Sequence, residues 1–361
     1  MSREYPNRRL ITGTPATNRP RQTGVVRVLA AVDKFKGTAS AADVARAIGH
    51  ACWELGFECD ELAMADGGEG TLDALGGANR ENTVTGPLGD PVVAKWRFHH
   101  GTAVIEMARA SGLTLVGGPE HNDPIAASTT GTGELIDRAL DLGAERIIVC
   151  LGGSATTDGG LGAVRAIHAP ARLKGVEFLI ACDVTTRFVD AASVFAPQKG
   201  ATPSQIRLLT GRLERLVQMY KDNTGVDVST IDGAGAAGGL AGGLVALGGT
   251  LIPGFELVAD EVNFESRLKN ADIVITGEGC LDHTSFDGKV VGGVVEAATR
   301  MGKRVGAIVG RLDLDDELDR DLVRPNPLAD ISALNGIERA MNEPLWCIEH
   351  AALDVLRAMT S

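Results

Sequence analysis

The residues of this sequence best equipped for chemistry recur as one pattern. An acid stands near the end of an apolar run, joined to glycines and at times to a lysine. The set is Asp33 with Lys36, Asp66 with Glu69, Asp158, Asp183, Glu278 with Asp282, and Lys289. Singly, each reads as a loop residue or a helix cap. Together they describe a site that needs several carboxylates, a few cations and many backbone amides. That inventory suits phosphoryl transfer from a magnesium nucleotide, where carboxylates hold the metal and lysines neutralise charge on the moving group. Mg²⁺ keeps several waters and takes one or two protein carboxylates, so most of these acids have another task.

The densest stretch is Gly152-Gly153-Ser154-Ala155-Thr156-Thr157-Asp158-Gly159-Gly160, directly after the apolar run Arg146 to Leu151. A strand that empties into glycines and hydroxyls before a helix is where open α/β sheets place ligands. Glycine lets backbone approach a ligand, and amides at a helix start favour anions. Other chemistries lack their signatures. There is no P-loop, no H-E-x-x-H, no G-x-S-x-G and no metal-spaced Cys/His cluster. Gly233-x-Gly235-x-x-Gly238 matches the dinucleotide fingerprint, with Glu256 near the place of a ribose acid. The run before it, Val226 to Ile231, is too polar for a central strand. Close backbone packing is the better reading of those glycines.

The elements that position these residues alternate strand and helix, which favours an α/β class. Val25–Val32 is a first strand, Ser40 with Asp43 a variant capping box, and Gly56 the stop of the helix between them. Phe57–Leu62 is a short second strand. From residue 81 the pattern turns antiparallel: Asn82–Thr85, a turn at 86–90, Pro91–Phe98, then Thr102–Met107. Thr130 or Thr132 caps a helix reaching Gly143. Val176–Cys182 is a strand that ends at Asp183. Thr202-Pro203-Ser204-Gln205 starts a long helix. Ala271–Thr276, a helix from Lys289 to about Met301, the strand Arg304–Val309 and a last helix over Leu345–Met359 complete the chain.

Composition narrows the partners. With 361 residues and a net charge of −12, the chain is large enough for two domains and ill suited to nucleic acid or anionic membranes. The six scattered cysteines read as reduced thiols of a cytoplasmic protein. Residues 1–24 read as a disordered tail rather than a signal peptide. Gly233–Phe255 carries no charge before Glu256, yet it is too glycine-rich to insert in a bilayer and reads as a packed segment.

The motifs resemble those of a glycerate kinase of the bacterial two-domain type. They run in order from Asp33-Lys34-Phe35-Lys36-Gly37 through Met64 to Thr71, Gly86 to Gly89, Ile105 to Leu113, Gly131 to Ile136 and the Gly152 loop. Cys182-Asp183-Val184, Pro197 to Ala201, Gly233 to Gly239 and Ile275 to Gly279 follow. The resemblance implies two α/β domains, one flavodoxin-like and one restriction-endonuclease-like, with the active site in the cleft between them. We place the first at 25–72 plus 272–361 and the inserted one at 73–271. It implies ATP and Mg²⁺ as cofactors, D-glycerate as substrate, and 2-phosphoglycerate as product, although the family is often labelled as making the 3-phosphate. Small molecules would be the partners of the chain, apart from a homodimer.

Roles are carried over by chemical type and motif position. Asp183 or Asp282 is the base, with Lys36, Lys199 and Lys289 neutralising charge. Arg109 with Ser111 is the candidate for the substrate carboxylate. Asp33, Gly152, Gly153, Ser154, Asp158 and Lys199 complete the substrate set. Gly67, Gly68, Glu69, Gly277 and Glu278 are assigned to the nucleotide, and Asp158 and Asp183 to the metal. Two departures stand out. Cys280 occupies a place where the resemblance would put an Arg, and the loop after Asp183 is shorter. Alternatives are a kinase for another small 2-hydroxy acid and a catalytically silent metabolite-binding homologue.

Overall fold

The structure, a computed structural model, describes residues 24–314 and 323–361. The expected tail over 1–24 thus lies outside the described residues but for Gly24. Among the described residues eleven strands appear in chain order: β1 Arg27–Val32, β2 Glu58–Ala63, β3 Arg80–Thr85, β4 Pro91–His99, β5 Thr102–Glu106, β6 Arg146–Cys150, β7 Glu177–Ala181, β8 Thr250–Ile252, β9 Ile273–Asp282, β10 Arg304–Asp313 and β11 Leu328–Asp330. They form two sheets with helices packed on them. The first has the order β11-β10-β9-β1-β2, and the second β3-β4-β5-β6-β7-β8.

Every pair in the first sheet is parallel. The chain steps from β1 outward to β2 and later returns to β1's other side with β9. That reversal leaves a crevice at the carboxyl ends of β1 and β9, the usual ligand position in such sheets. The second sheet opens with the expected antiparallel hairpin and continues parallel from β5 to β8.

Local chemistry explains the element ends. Ser40 Oγ accepts from Asp43 N–H and starts the helix Ala41–Glu54, whose Val44, Ala47, Ile48 and Ala51 are buried against β1 and β9. Gly56, at φ +73°, ends it. Thr202 and Gln205 form a full capping box for the helix Pro203–Thr224. One expected cap shifts. The helix Thr130–Asp141 begins after Thr129, whose hydroxyl donates to Asp158 and accepts from Ala163 N–H rather than from an amide of its own helix.

The Gly233 window is no membrane span. It becomes the helix Ala236–Ala246, strand β8 and the start of the helix Gly254–Glu261. Among the described residues no helix is long and apolar enough to cross a membrane. No strand precedes the dinucleotide-like glycines either, since Val228–Thr230 is a single 3₁₀ turn. Ala237, Gly238 and Gly239 take left-handed backbone, and a Cβ on Gly238 would lie 2.0 Å from Thr156 O. These glycines let the helix seat directly on the Gly152–Gly160 loop. All six cysteines are free. The helices Gly254–Glu261 and Phe264–Asn270 were not foreseen from sequence. They bury Leu257, Val258, Phe264 and Leu268 in a core shared by both sheets, with Leu29 and Val274 of the first and Val104 and Ile148 of the second.

Candidate active site

Six strands deliver the functional side chains to one cleft of about 980 Å³, lined from both sheets. After β1, Asp33 N–H donates to Gly277 O at 2.9 Å, which ties the loop to β9. Asp33 Oδ1 accepts from Lys34 N–H at 2.7 Å and lies 3.6 Å from Lys34 Nζ. After β2, the loop Asp66–Gly70 is held from the other sheet. Glu106, at the end of β5 and almost fully buried, accepts from Gly70 N–H at 2.8 Å and Leu72 N–H at 2.9 Å. Its other oxygen accepts from Arg109 Nε at 2.9 Å.

The glycine loop after β6 meets the loop after β2 across the cleft. A Cβ on Gly152 would lie 3.1 Å from Gly68 Cα, and one on Gly153 2.6 Å from Glu69 Oε1. Gly153 also takes a φ of +62°, in the left-handed region that favours glycine. Among the described residues, the N–H groups of Gly152, Gly153 and Ser154 have no hydrogen-bond acceptor. Such unpaired amides beside a cleft are suited to an anion.

Asp183 follows β7, and its Oδ1 accepts from Gly254 N–H at 2.6 Å, at the start of the helix Gly254–Glu261. From β9 come Glu278, Cys280 and Asp282, and β10 adds Arg311 in register opposite Cys280. Lys289 Nζ donates to Thr284 Oγ1 at 2.7 Å.

Burial sets the protonation of these groups. It raises Asp33 to about 6 and Asp183 to about 7; the negative Asp66 adds to both, while Lys34 opposes the first and Lys289 the second. Glu278 rises to about 7, again chiefly by burial and with Asp33 contributing, and its Oε1 is buried with no partner. Asp282 behaves differently. Partial burial pushes it up, but the Thr284 bonds and the charge of Lys289 hold it below its usual value. A carboxylate near 7 can exchange a proton at neutral pH, whereas Asp282 is a fixed anion that caps the turn His283–Phe286.

Most of the residues expected at the site do reach the cleft: Asp33, Lys36, Gly68, Glu69, Gly152, Gly153, Ser154, Asp183, Lys199, Glu278, Asp282 and Lys289 line it. Five do not. Arg109 is held by Glu106 and lies 3.9 Å from Asp73. Ser111 is fully buried and shares a hydrogen bond with Thr132 at 2.8 Å. Asp158 is spent on structure: its oxygens accept from Thr129 N–H and Oγ1 and from the amides of Gly160 and Gly162. Gly67 sits against Gly254, where its Cβ would be 2.7 Å from Gly254 Cα. Gly277 packs on β10, where a Cβ would lie 2.1 Å from Ile308 O. Lys199 also differs from expectation in one respect. Its Nζ is buried behind the glycine loop and donates to Thr156 O at 2.5 Å. Burial lowers it to about 7, against the opposing pull of Asp158.

Three residues of the cleft carried no role from sequence. Asp66 stood in the acid–glycine pattern, and its partnership with Asp183 is purely tertiary. Lys34 adjoins Asp33. Arg311 gives no sequence signal, yet its Nη2 lies 3.7 Å from Cys280 Sγ, so the neighbouring strand supplies a guanidinium beside the position where the resemblance would put one.

A family model described as the glycerate kinase family matches residues 28–170 and 167–360 of this chain. A protein named glycerate kinase from Halalkalibacterium halodurans is 41% identical over 330 residues, covering 79% of this chain and 85% of its own length. A protein named glycerate 2-kinase from Escherichia coli is 39% identical over 330 residues, covering 80% and 86%. A crystal structure described as glycerate kinase 2 from Salmonella typhimurium LT2 superposes with a TM-score of 0.77 at 33% identity, over 93% of this chain and 99% of that one.

Proposed function

The chain belongs to the glycerate kinase family and phosphorylates glycerate with ATP as donor, and we propose that transfer runs in line to the 2-hydroxyl of D-glycerate, giving 2-phosphoglycerate and ADP. Asp183 carries this reading. It is a carboxylate at a strand end, raised to about 7 and placed in the field of Lys289.

In the mechanism we assign, the unpaired amides of Gly152, Gly153 and Ser154 hold the glycerate carboxylate. Asp183 accepts the proton of the 2-hydroxyl as its oxygen attacks the γ-phosphorus. Lys36 and Lys289 offset the charge on the transferring group. Asp282 fixes the turn whose Thr284 hydroxyl holds the Lys289 ammonium. Asp158 and Lys199 shape the glycine loop from behind, so we assign neither to metal nor to substrate.

Among the described residues, no group of three or more His, Cys, Asp or Glu could hold a metal ion. The donor set still fits Mg²⁺ arriving with the nucleotide, because that ion takes one or two carboxylates, phosphate oxygens and water. Glu278, with its orphaned Oε1, and Asp33 are the carboxylates we assign to it; when bound, it would screen negative charge on the phosphates.

We propose a two-domain division with the boundary before residue 254 rather than 272, because the helix 264–270 packs on β1 and the helix 254–261 on the helix Val290–Arg300. That sheet's order, counted within the sheet as 2-1-3-4-5, supports a flavodoxin-like first domain; a restriction-endonuclease-like second domain remains part of the same proposal. The test is ADP release with D-glycerate and Mg-ATP, followed by enolase. Immediate consumption of the product by enolase is expected. Consumption only after a phosphoglycerate mutase is added would place the phosphate on the 3-hydroxyl, and absence of turnover would overturn the reading.

A further inference from the structure

We propose that the adenosine part of the nucleotide binds at the end of the cleft where the two short helices Ile331–Asn335 and Ile337–Asn342 meet the end of β10. The proposal rests on the ATP-dependent reading above and assigns a subsite to it. A three-carbon acid fills only a small part of a cleft of about 980 Å³, and the remainder must receive something larger.

The lining changes character along the cleft. Around Asp33, Asp183 and Lys289 it is charged, whereas Ile337 and Met341 form an exposed apolar lip and Ile331 and Ala340, both buried, add apolar lining. Ile337 is 70% exposed and Met341 56%. Large apolar side chains left open at a cleft mouth mark a surface that something covers. A purine, flat and apolar on its faces, suits it.

Arg311 stands between this lip and the carboxylates. It pairs in register with Cys280, two residues beyond Glu278 on β9. Its guanidinium is solvent-exposed, with Nη2 on Asp313 at 2.8 Å and near Cys280 Sγ. The remaining N–H donors of that fork suit phosphate oxygens. Ser332 Oγ donates to Gly310 O at 2.6 Å and fixes the lip against this strand. A nucleotide with its base on Ile337 and Met341 would pass its inner phosphates by Arg311 and present the last one to Lys289 and Lys36.

The competing location is the recess of about 500 Å³ behind Lys34, lined by Ala39, Ala42 and Met64. Its large apolar side chains, Phe35 and Met64, are already buried, and no exposed large apolar residue lines it.

Steady-state kinetics of Ile337→Asp, Met341→Glu and Arg311→Ala test the assignment, alongside direct titration of each variant with a fluorescent ADP analogue in the absence of glycerate. Each variant is expected to raise the KM for ATP and the dissociation constant for the ADP analogue about tenfold or more, as loss of a buried apolar face or an ionic hydrogen bond implies. The KM for glycerate should stay within about twofold, and thermal unfolding should be unchanged because the side chains are exposed. Unchanged nucleotide affinity in all three variants would overturn the subsite while leaving the kinase reading intact. So would selective loss of nucleotide affinity in Ala42→Trp. Tight ADP-analogue binding by a wild-type chain that fails to phosphorylate glycerate would instead overturn the substrate assignment, and the three variants would still decide the subsite.

Discussion

Replacing Asp183 by Asn removes a proton acceptor while changing little else. The amide oxygen of Asn can still accept from Gly254 N–H, so the start of the helix Gly254–Glu261 keeps its anchor. With a pKa of about 7, Asp183 is about nine-tenths ionised at pH 8, about one-tenth at pH 6 and about one-hundredth at pH 5. If it is the base, kcat/KM for glycerate should fall about tenfold per pH unit below 7. A positioned general base contributes about 10²- to 10⁴-fold, so D183N should lose that factor in kcat at pH 8, about 3–5 kcal/mol of barrier. The acidic limb should vanish from what activity remains. The assay is coupled ADP release across pH 5–9 at saturating Mg-ATP. A D183N enzyme within tenfold of wild type, or one that keeps a limb near pH 7, would refute the assignment.

Three further outcomes follow from the same geometry. Asp66→Asn removes a negative charge that raises Asp183, so the acidic limb of the pH–rate profile should move to lower pH; a limb that stays or moves up would contradict the coupling. Asp158→Ala strips the acceptor from the amides of Thr129, Gly160 and Gly162. It should lower unfolding free energy in urea by about 1–3 kcal/mol, while the Mg²⁺ concentration for half-maximal activity is unchanged. The third outcome concerns stability. Asp33, Asp183 and Glu278 all have folded pKa values raised above their ordinary ones. Their contribution is therefore fully present below about pH 4 and lost as pH rises through 6 to 7. In the ligand-free protein, the melting temperature of D183N should gain on wild type between pH 5 and pH 8, and a constant difference would contradict the raised value.

What the sequence determined by itself was local or covalent in origin. Ser40, Thr202 and Gly56 marked helix ends because capping is settled within a few residues of chain. The buried run Arg146–Cys150 and the hairpin Arg80–His99 were legible from hydrophobic pattern and turn chemistry. The glycine and acid motifs located most of the cleft because strand ends are where parallel sheets expose backbone. Tertiary structure alone decided which of those acids act. Asp158 and Asp183 look alike as strand-end carboxylates. One is consumed by four hydrogen-bond donors from Thr129, Gly160 and Gly162. The other accepts a single bond from a residue seventy-one positions away and is pushed upward by burial and by Asp66. Glu106 and Arg109, on one motif, pair with each other and face the loop after β2 rather than the cleft. Arg311 comes beside Cys280 only through the β9–β10 register. Burial and long-range partnership decide how a carboxylate or a guanidinium behaves, and neither is written in the residues next to it.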